Sequence, residues 1–486
     1  MATHTANKNH RYSQKIKSIP PVLVMCRSIP GQGCIGIEQP VIMVQEFRPA
    51  VNAGMEGRSA MRKRRILWNI RLRHPRLLAA GLLAGAVAIT MVSGILHPTK
   101  EEEKLPAENN SFQSESSSTE KIETVSVDEE MRAVWVPFMS LQTEEKGEKA
   151  FQENFDKIVQ TSAEKGMNTL IVHVRPFGDA LYPSEYFSWS HVVGGTQGVN
   201  PGYDPLEYMV EATHKAGMEF HAWVNPLRVQ SQKTPSTLSE DNPAQKWSKE
   251  EGKENWVLKT DSGTYYNPGV EEVRSYIAEG VAEIVRNYEV DGVQFDDYFY
   301  PTQDTGFDKS TYEAYCKEVE KGGYASLSQS EWRTANINAL VSLVYQKIKA
   351  EKPEVVFGIS PQGNLSNNKA MGADVATWCA AKGYVDYICP QMYVNFENDA
   401  LPFTETIATW KSLLLEDSIQ FYIGLAVYKA GSDVDDGTWE KSDDIIAKQV
   451  MAGRDIDCDG FMFYSYDYLD TEQTQKEMEN VMKVLQ

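Results

Sequence analysis

The chain has 486 residues, a formal net charge of −20 and a hydrophobic fraction of 42%. The hydrophobic share is ordinary for a globular protein, and the length allows one large folding unit or several. The acidic balance argues against a nucleic-acid partner, because neutralising phosphates requires clustered Lys and Arg.

Residues 1–60 carry neither helical nor strand periodicity, and they are expected to be poorly structured. Translation is expected to begin at Met55 or Met61, since "MRKRR" followed by an apolar run is a normal export opening. The stretch 61–76, "MRKRRILWNIRLRHPR", is basic without an acid, and 77–96, "LLAAGLLAGAVAITMVSGIL", has no charged residue. A run of that length crosses a bilayer as a helix. The basic flank before it and the acidic one after it put the N-terminus in the cytoplasm and the remainder outside. Residues 61–96 are therefore expected to form a single-pass anchor in the cytoplasmic membrane. The alternative is a cleaved signal and a secreted protein. Residues 97–130 are rich in Ser, Glu, Lys and Thr and read as a disordered tether, which would reach on the order of 100 Å fully extended. The six cysteines contain no C-x-x-C, so neither a zinc site nor a redox pair is indicated, and sparse buried thiols are expected.

From 131 the pattern changes. Eight short apolar runs recur: "MRAVWVPF" (131–138), "NTLIVHVRP" (168–176), "MEFHAWVNP" (218–226), "DGVQFDDY" (291–298), "EVVFGISPQG" (354–363), "VDYICPQMY" (385–393), "QFYIGLAVY" (420–428) and "DGFMFYSYD" (459–467). Near-continuous apolar strands suit a parallel sheet covered on both faces. Amphipathic segments lie between them. "EKAFQENFDKIVQTSAEKG" puts Phe151, Phe155, Ile158 and Val159 on one face, and "PLEYMVEATHKAG" opens on Pro and closes on Gly. Eight strands alternating with helices predict a (β/α)8 TIM barrel over 131–486. A doubly wound sheet should carry a phosphate fingerprint, and neither G-x-G-x-x-G nor G-x-x-x-x-G-K-[ST] occurs within 131–486.

Such barrels put their chemistry at the C-terminal strand ends. Polar groups gather there: Arg175, Asn225, Arg228, Asp296, Asp297, Gln362, Asn364, Gln391, Tyr393, Asn395, Tyr466 and Asp467. Strand alternation puts Gln294, Asp296 and Tyr298 on one face and Val293, Phe295 and Asp297 on the other. With Val293 and Phe295 facing helices, Gln294 and Asp296 face the axis. Paired carboxylates among aromatics fit glycoside cleavage, in which one acid protonates the leaving oxygen and the other attacks the sugar or activates water. Adjacent residues of an extended strand point apart, so Asp296 and Asp297 call for a partner from another strand. Asp467 is the first candidate, followed by Glu397, Asp399 and Asp179. Trp135 and Tyr393 are candidates to stack on sugar rings, Trp223 is a further candidate binding residue, and Arg175 and Arg228 are candidates to clamp polar substrate groups. His221, Asn225, Gln294, Tyr298 and Gln391 complete the expected binding set. No motif requires a metal or cofactor. Neither H-E-x-x-H nor G-x-S-x-G is present, so zinc and serine hydrolases are unsupported.

The blocks "MRAVWVPF", "VHVRPFGDALYPSEYFSWSHVVGGTQGVNPGYDPLEYMVEATHKAGMEFHAWVNPLRV", "NPGVEEVRSYIAEGVAEIVRNYEVDGVQFDDYFYP", "GISPQGN" and "DYICPQMY" resemble the bacterial glycosyl-hydrolase-like family ten, a group of exported (β/α)8 proteins. The resemblance covers roughly 131–430. It implies hydrolysis of glycans, with bacterial cell-wall strands as the favoured substrate class, and its acidic motif falls on Asp296 and Asp297. The expected function is thus a membrane-anchored extracytoplasmic glycoside hydrolase acting on peptidoglycan-type glycans. The alternatives are a non-catalytic barrel that binds wall polysaccharide, and a hydrolase of another external polysaccharide such as an α-glucan.

Overall fold

The computed structural model describes residues 130–232 and 234–486. The expectations for 1–129, the membrane anchor and most of the tether among them, lie outside the described residues. Glu130, expected as the last tether residue, already belongs to the folded domain: it is buried and takes the Nε and Nη2 of Arg454, each at 2.7 Å. No helix among the described residues is long and apolar enough to cross a membrane.

All eight predicted strands form: β1 Met131–Val136, β2 Thr169–Arg175, β3 Glu219–Val224, β4 Gly292–Phe295, β5 Val356–Ile359, β6 Tyr387–Ile388, β7 Gln420–Ala426 and β8 Gly460–Tyr464. Each pairs in parallel with its chain neighbours, and β8 closes on β1. The covering helices are α1 Glu148–Glu164, α2 Pro205–Lys215, α3 Glu271–Asn287, α4 Gln329–Glu351, α5 Val375–Ala380, α6 Phe403–Ser412, α7 Ile445–Arg454 and α8 Gln475–Leu485.

Local chemistry explains the helix starts and faces. Asp204 caps α2 by accepting from the backbone of Leu206 and Glu207, with Pro205 at the first helical position. Ser328 and Glu331 form a reciprocal capping box at the start of α4. Helix α1 buries Phe151, Phe155, Ile158 and Val159, the predicted face, against the barrel. Trp378, Trp410 and Trp439 lie wholly in the core, and each indole N–H is satisfied, by Asn338 Oδ1, the Gly363 carbonyl and Asp435 Oδ2. Much of the tryptophan content is therefore core. The cysteines Cys316, Cys379, Cys389 and Cys458 are free, and all but Cys316 are buried.

A hidden fourfold regularity appears at the N-terminal rim. The residue just before each even strand accepts the backbone N–H of the second residue of the preceding odd strand. Asn168 takes Arg132 N at 2.8 Å, and Asp291, Asp386 and Asp459 take Phe220, Phe357 and Phe421 N at 2.7 Å each. These acids stitch the closed sheet where its ladder begins. They are chemically distinct from the acids at the opposite rim.

Inside the barrel, alternate residues point to the axis. The lower interior holds His221 and Tyr387, with His221 Nδ1 lying 3.1 Å from the Tyr387 hydroxyl. They fit because their strand neighbours lack side chains: a Cβ on Gly292 would meet the His221 ring at 2.7 Å, and one on Gly358 would overlap the Tyr387 ring. His221 is therefore an interior filler with no exposed surface, and it does not line the cavity at the mouth. This corrects the expectation of a binding role.

The connection from β3 to α3 carries an element that the periodicity did not predict. It is an antiparallel sheet of Arg228–Ser231, Gly263–Tyr266 and Val257–Thr260, with the short helix Pro243–Trp247. A helix at Lys309–Lys321 is likewise added between β4 and α4.

Candidate active site

The segment "DGVQFDDYFYP" leaves the barrel at its C-terminal mouth. Val293 and Phe295 are fully buried among the helices, with Phe295 against Phe357 at 5.1 Å between ring centroids. Gln294 and Asp296 face the axis. Regular pairing ends at Phe295, which frees Asp297 to turn back toward the mouth. Both aspartates line a cavity of about 190 Å³ with Trp135, Trp223, Tyr298, Ser360, Gln391, Tyr393 and Tyr464. That space suits one sugar ring. A larger groove of about 930 Å³ lies against α2 and α3, is lined largely by carboxylates, and shares no residue with the mouth.

The two carboxylates are held in opposite directions. Asp296, 3% exposed, leans toward β3: Trp223 Nε1 donates at 3.1 Å, and Asn225 Nδ2 lies 3.1 Å from both oxygens. The backbone N–H of Tyr298 donates to Asp296 Oδ1 at 3.3 Å. Asp297 leans toward β5 and β6, accepting from Gln362 Nε2 at 2.9 Å and Gln391 Nε2 at 3.2 Å, one on each oxygen. Burial pushes Asp296 up to about 6, reinforced by the charge of Asp297, against the opposing pull of Arg228 and the donated hydrogen bonds. Burial also raises Asp297, and the two glutamine amides oppose that rise by favouring the anion. Removing one amide should therefore matter. Gln391→Leu is expected to raise the Asp297 pKa further and to lower turnover by about 10-fold or more, the scale of a hydrogen bond to a charged group. The check is a pH–rate profile whose acid limb moves upward.

The remaining predicted residues divide. Trp135, Trp223, Tyr298, Gln391 and Tyr393 line the cavity. Tyr393 and Tyr464 stand 5.7 Å apart, and Tyr464 meets Trp135 at 6.0 Å, so these three make one continuous aromatic wall. Gln294 does not reach the cavity. It lies beneath, accepting Trp135 Nε1 at 2.6 Å and donating to the Tyr387 hydroxyl at 3.2 Å, and so fixes the indole. Asn225 turns its amide onto Asp296 and accepts Arg228 N at 2.9 Å, which makes it a positioning residue. Arg228 sits at the rim over the rings of Tyr298 and Phe177, with Nε donating to the Pro176 carbonyl.

Three expectations are corrected. Arg175 does not face the mouth. An irregularity in β2 between His173 and Arg175 shifts the register, so Arg175 pairs beside outward-facing Val224. Its guanidinium is buried outside the barrel, 4.3 Å from the Phe187 ring. Asp467 does not complete the acid pair. It sits exposed in a short 3₁₀ turn and accepts the Ser140 hydroxyl at 2.8 Å. The reserve candidates fail likewise: Glu397 pairs with Lys441, Asp399 is exposed away from the cavity, and Asp179 is buried and accepts Gln197 Nε2 at 2.8 Å.

Three residues were missed. Ser360 and Tyr464 line the cavity, and His173 stacks on Trp223 at 3.4 Å between centroids. The same period-2 alternation that pointed to Asp296 reaches all three: Gly358 to Ser360, Met462 to Tyr464, Ile171 to His173. Burial and nearby Arg228 hold His173 well below the usual imidazole range, so it is a neutral ring backing the Trp223 floor.

Comparison with known proteins finds relatives of this chain. A profile described as "Glycosyl hydrolase-like 10" matches residues 130–441. The glycosyl hydrolase YngK of Bacillus subtilis is 36% identical over 68% of this chain, which spans 66% of that protein's length. The glycosyl hydrolase DigH of Escherichia coli K12 is 34% identical over 64% of this chain and 74% of its own. Among solved structures, the PgaB (BpsB) glycoside hydrolase domain of Bordetella bronchiseptica has a TM-score of 0.49 at 13% identity, covering 73% of this chain and 98% of that one, a likeness too distant to inform the site. The chain belongs to the glycosyl hydrolase-like 10 family, a group of glycoside hydrolases.

Proposed function

We propose that the protein hydrolyses the glycan strands of bacterial cell wall, with Asp296 as general acid and base and Asp297 as the stabilising carboxylate. The observation that carries this reading is the split between neighbours. Two adjacent aspartates at the barrel mouth are turned to opposite sides, and Asp296 is raised to about 6. A group with that pKa is protonated often enough to give its proton to a leaving oxygen and basic enough to take one back from water. The indoles of Trp135 and Trp223 offer flat apolar surfaces to a sugar ring, and the wall of Tyr393 and Tyr464 adds hydroxyls for its polar edge.

The uncharged run 77–96 behind a basic flank supports a membrane-anchored protein whose barrel works outside the cytoplasm. The acidic, Ser-rich segment after it would then serve as the tether between anchor and wall.

Residues 125–486 incubated with purified peptidoglycan, intact and stripped of stem peptides, provide the test, with soluble products read by mass spectrometry beside Asp296→Asn. New saccharide ends made by the unsubstituted barrel alone are the expected result. Equal products from both proteins would remove Asp296 from the mechanism. Products from neither would favour the binding reading or another polysaccharide.

The acid assignment also sets the pH dependence. Asp296 must be protonated to act, so kcat/KM should fall about tenfold per pH unit above about 6. Protonation of Asp297 should close the profile on the acid side. Arg228 lowers Asp296, so Arg228→Gln should move the alkaline limb upward, and a limb that stays in place would exclude Asp296 as its source.

A further inference from the structure

Glycosidases of the two common designs flank the sugar with carboxyl groups about 5–5.5 Å apart for retention or about 6.5–9.5 Å apart for inversion. Here both cavity carboxylates rise from consecutive residues at one strand end, Asp296 held toward β3 and Asp297 toward β5 and β6. Trp135, Tyr393 and Tyr464 line the same cavity. Among the described residues, no third carboxylate lines the cavity, and the expected partner, Asp467, is bonded to Ser140 at the rim. A tyrosinate nucleophile is not on offer either, because burial pushes Tyr464 up to about 12 and Tyr393 well above its usual value.

We propose that the attacking group is supplied by the substrate: the carbonyl oxygen of a 2-acetamido group on the sugar bound beside Asp297. This rests on the glycoside-hydrolase reading above and names the sugar that the site requires. The acetamido oxygen bonds to C1 as the C1–O glycosidic bond breaks. The electron pair stays on the departing oxygen, which takes the proton of Asp296. The positive charge on the resulting five-membered ring is stabilised by Asp297, which accepts the acetamido N–H. Water then adds to C1 and gives its proton to Asp296, the ring reopens, and the acetamide is restored. One water is consumed, and the configuration at C1 is retained.

The surroundings of Asp297 suit that task. Gln362 and Gln391 donate to its two oxygens and keep it ionised and aimed. Tyr393 lies within the electrostatic reach of Asp297, and its side-chain hydroxyl makes no hydrogen bond among the described residues. That hydroxyl is placed to orient the acetamido oxygen. Ser360 Oγ is buried in the cavity wall without a partner and awaits a polar substrate group.

The test uses the full-length protein and peptide-free glycan strands in three forms: native, chemically de-N-acetylated, and re-acetylated. Loss of the internal nucleophile forfeits a large effective molarity, so de-N-acetylated strands should be cleaved at least about 10³-fold more slowly, and re-acetylation should restore the rate. N-acetylglucosamine thiazoline, a stable mimic of the five-membered intermediate, should bind at least about 100-fold more tightly than N-acetylglucosamine. Asp297→Ala should erase that difference. Equal cleavage of acetylated and de-N-acetylated strands, or inversion at C1, would overturn the proposal and leave glycoside hydrolysis standing. Cleavage of no strand would count against the hydrolase reading itself. The thiazoline result then decides separately, since binding no tighter than N-acetylglucosamine removes the acetamido site and tight binding supports it.

Discussion

Asp296→Asn is expected to lower kcat/KM by about 10²–10⁴-fold and, at the same time, to flatten the pH dependence of stability. The first effect follows from removing a proton donor while keeping the shape of the side chain. The second follows from linkage. The Asp296 carboxyl is raised from 3.8 to about 6 in the folded protein, so between those values the native state holds more protons than the unfolded one. Stability therefore falls as pH rises through that window, by roughly 3 kcal/mol if the whole shift is expressed. Above it the full cost of a buried charge is present. The asparagine carries no such charge. Its amide nitrogen would face the donors Trp223 Nε1 and Asn225 Nδ2, which offsets part of the gain. Thermal unfolding between pH 4 and 8 should thus show a slope in the unsubstituted protein that is reduced in the variant, where Asp297 still contributes. A variant with full activity, or with an unchanged slope, would count against Asp296 as the acid.

The second large effect lies away from the cavity. Arg333→Met is expected to cost about 3–5 kcal/mol of stability, because it leaves Asp308 as an uncompensated buried charge. Arg333 holds Asp308 with two bonds, Nε to Oδ2 at 2.9 Å and Nη2 to Oδ1 at 2.6 Å. Its remaining donors reach the carbonyls of Thr302 and Asp304, and its guanidinium lies 5.0 Å from the Tyr300 ring. Every one of these contacts lies on the segment that runs from Asp296 and Asp297 to the helix beginning at Lys309. The arginine is therefore a clamp on the catalytic loop. Turnover should fall with stability, while the alkaline limb of the pH profile stays near 6, because the surroundings of Asp296 itself are untouched. Replacing Asp308 with Leu in the same variant should recover part of the stability by removing the orphaned charge. A double variant no more stable than the single one would contradict this account.

The two effects mark different classes of acid, and the sequence does not label them. Asp291 and Asp296 lie five residues apart in one quoted stretch. The first bonds Phe220 N at the N-terminal rim, and the second lines the cavity at the mouth. Their separation follows from strand length alone, since each lies just outside one end of the same strand. Asp386 and Asp459 repeat the structural role of Asp291, and Asn168 does the same work with an amide oxygen. The repeat escapes inspection of the sequence because it is a repeat of one bond between paired strands and not of a stretch of chain.

What the sequence determined by itself was everything carried by local periodicity. The eight strands, the apolar face of α1, the Pro and Gly that bound α2, and the inward direction of Gln294 and Asp296 all follow from residues along a single segment. A period of two or of 3.6 is a property of the backbone and needs no partner. Tertiary structure decided which strand ends meet. The irregularity in β2 turned Arg175 out of the barrel and left His173 as the inward residue behind Trp223. Closure of β8 on β1 carried Asp467 past the mouth to Ser140 and brought Tyr464 inward in its place. The glutamines that hold Asp297 come from two strands, 65 and 94 residues further along the chain. Register between distant strands is fixed by pairing and packing across the whole sheet, so residues that alternate correctly within a strand still acquire their roles only when the barrel closes.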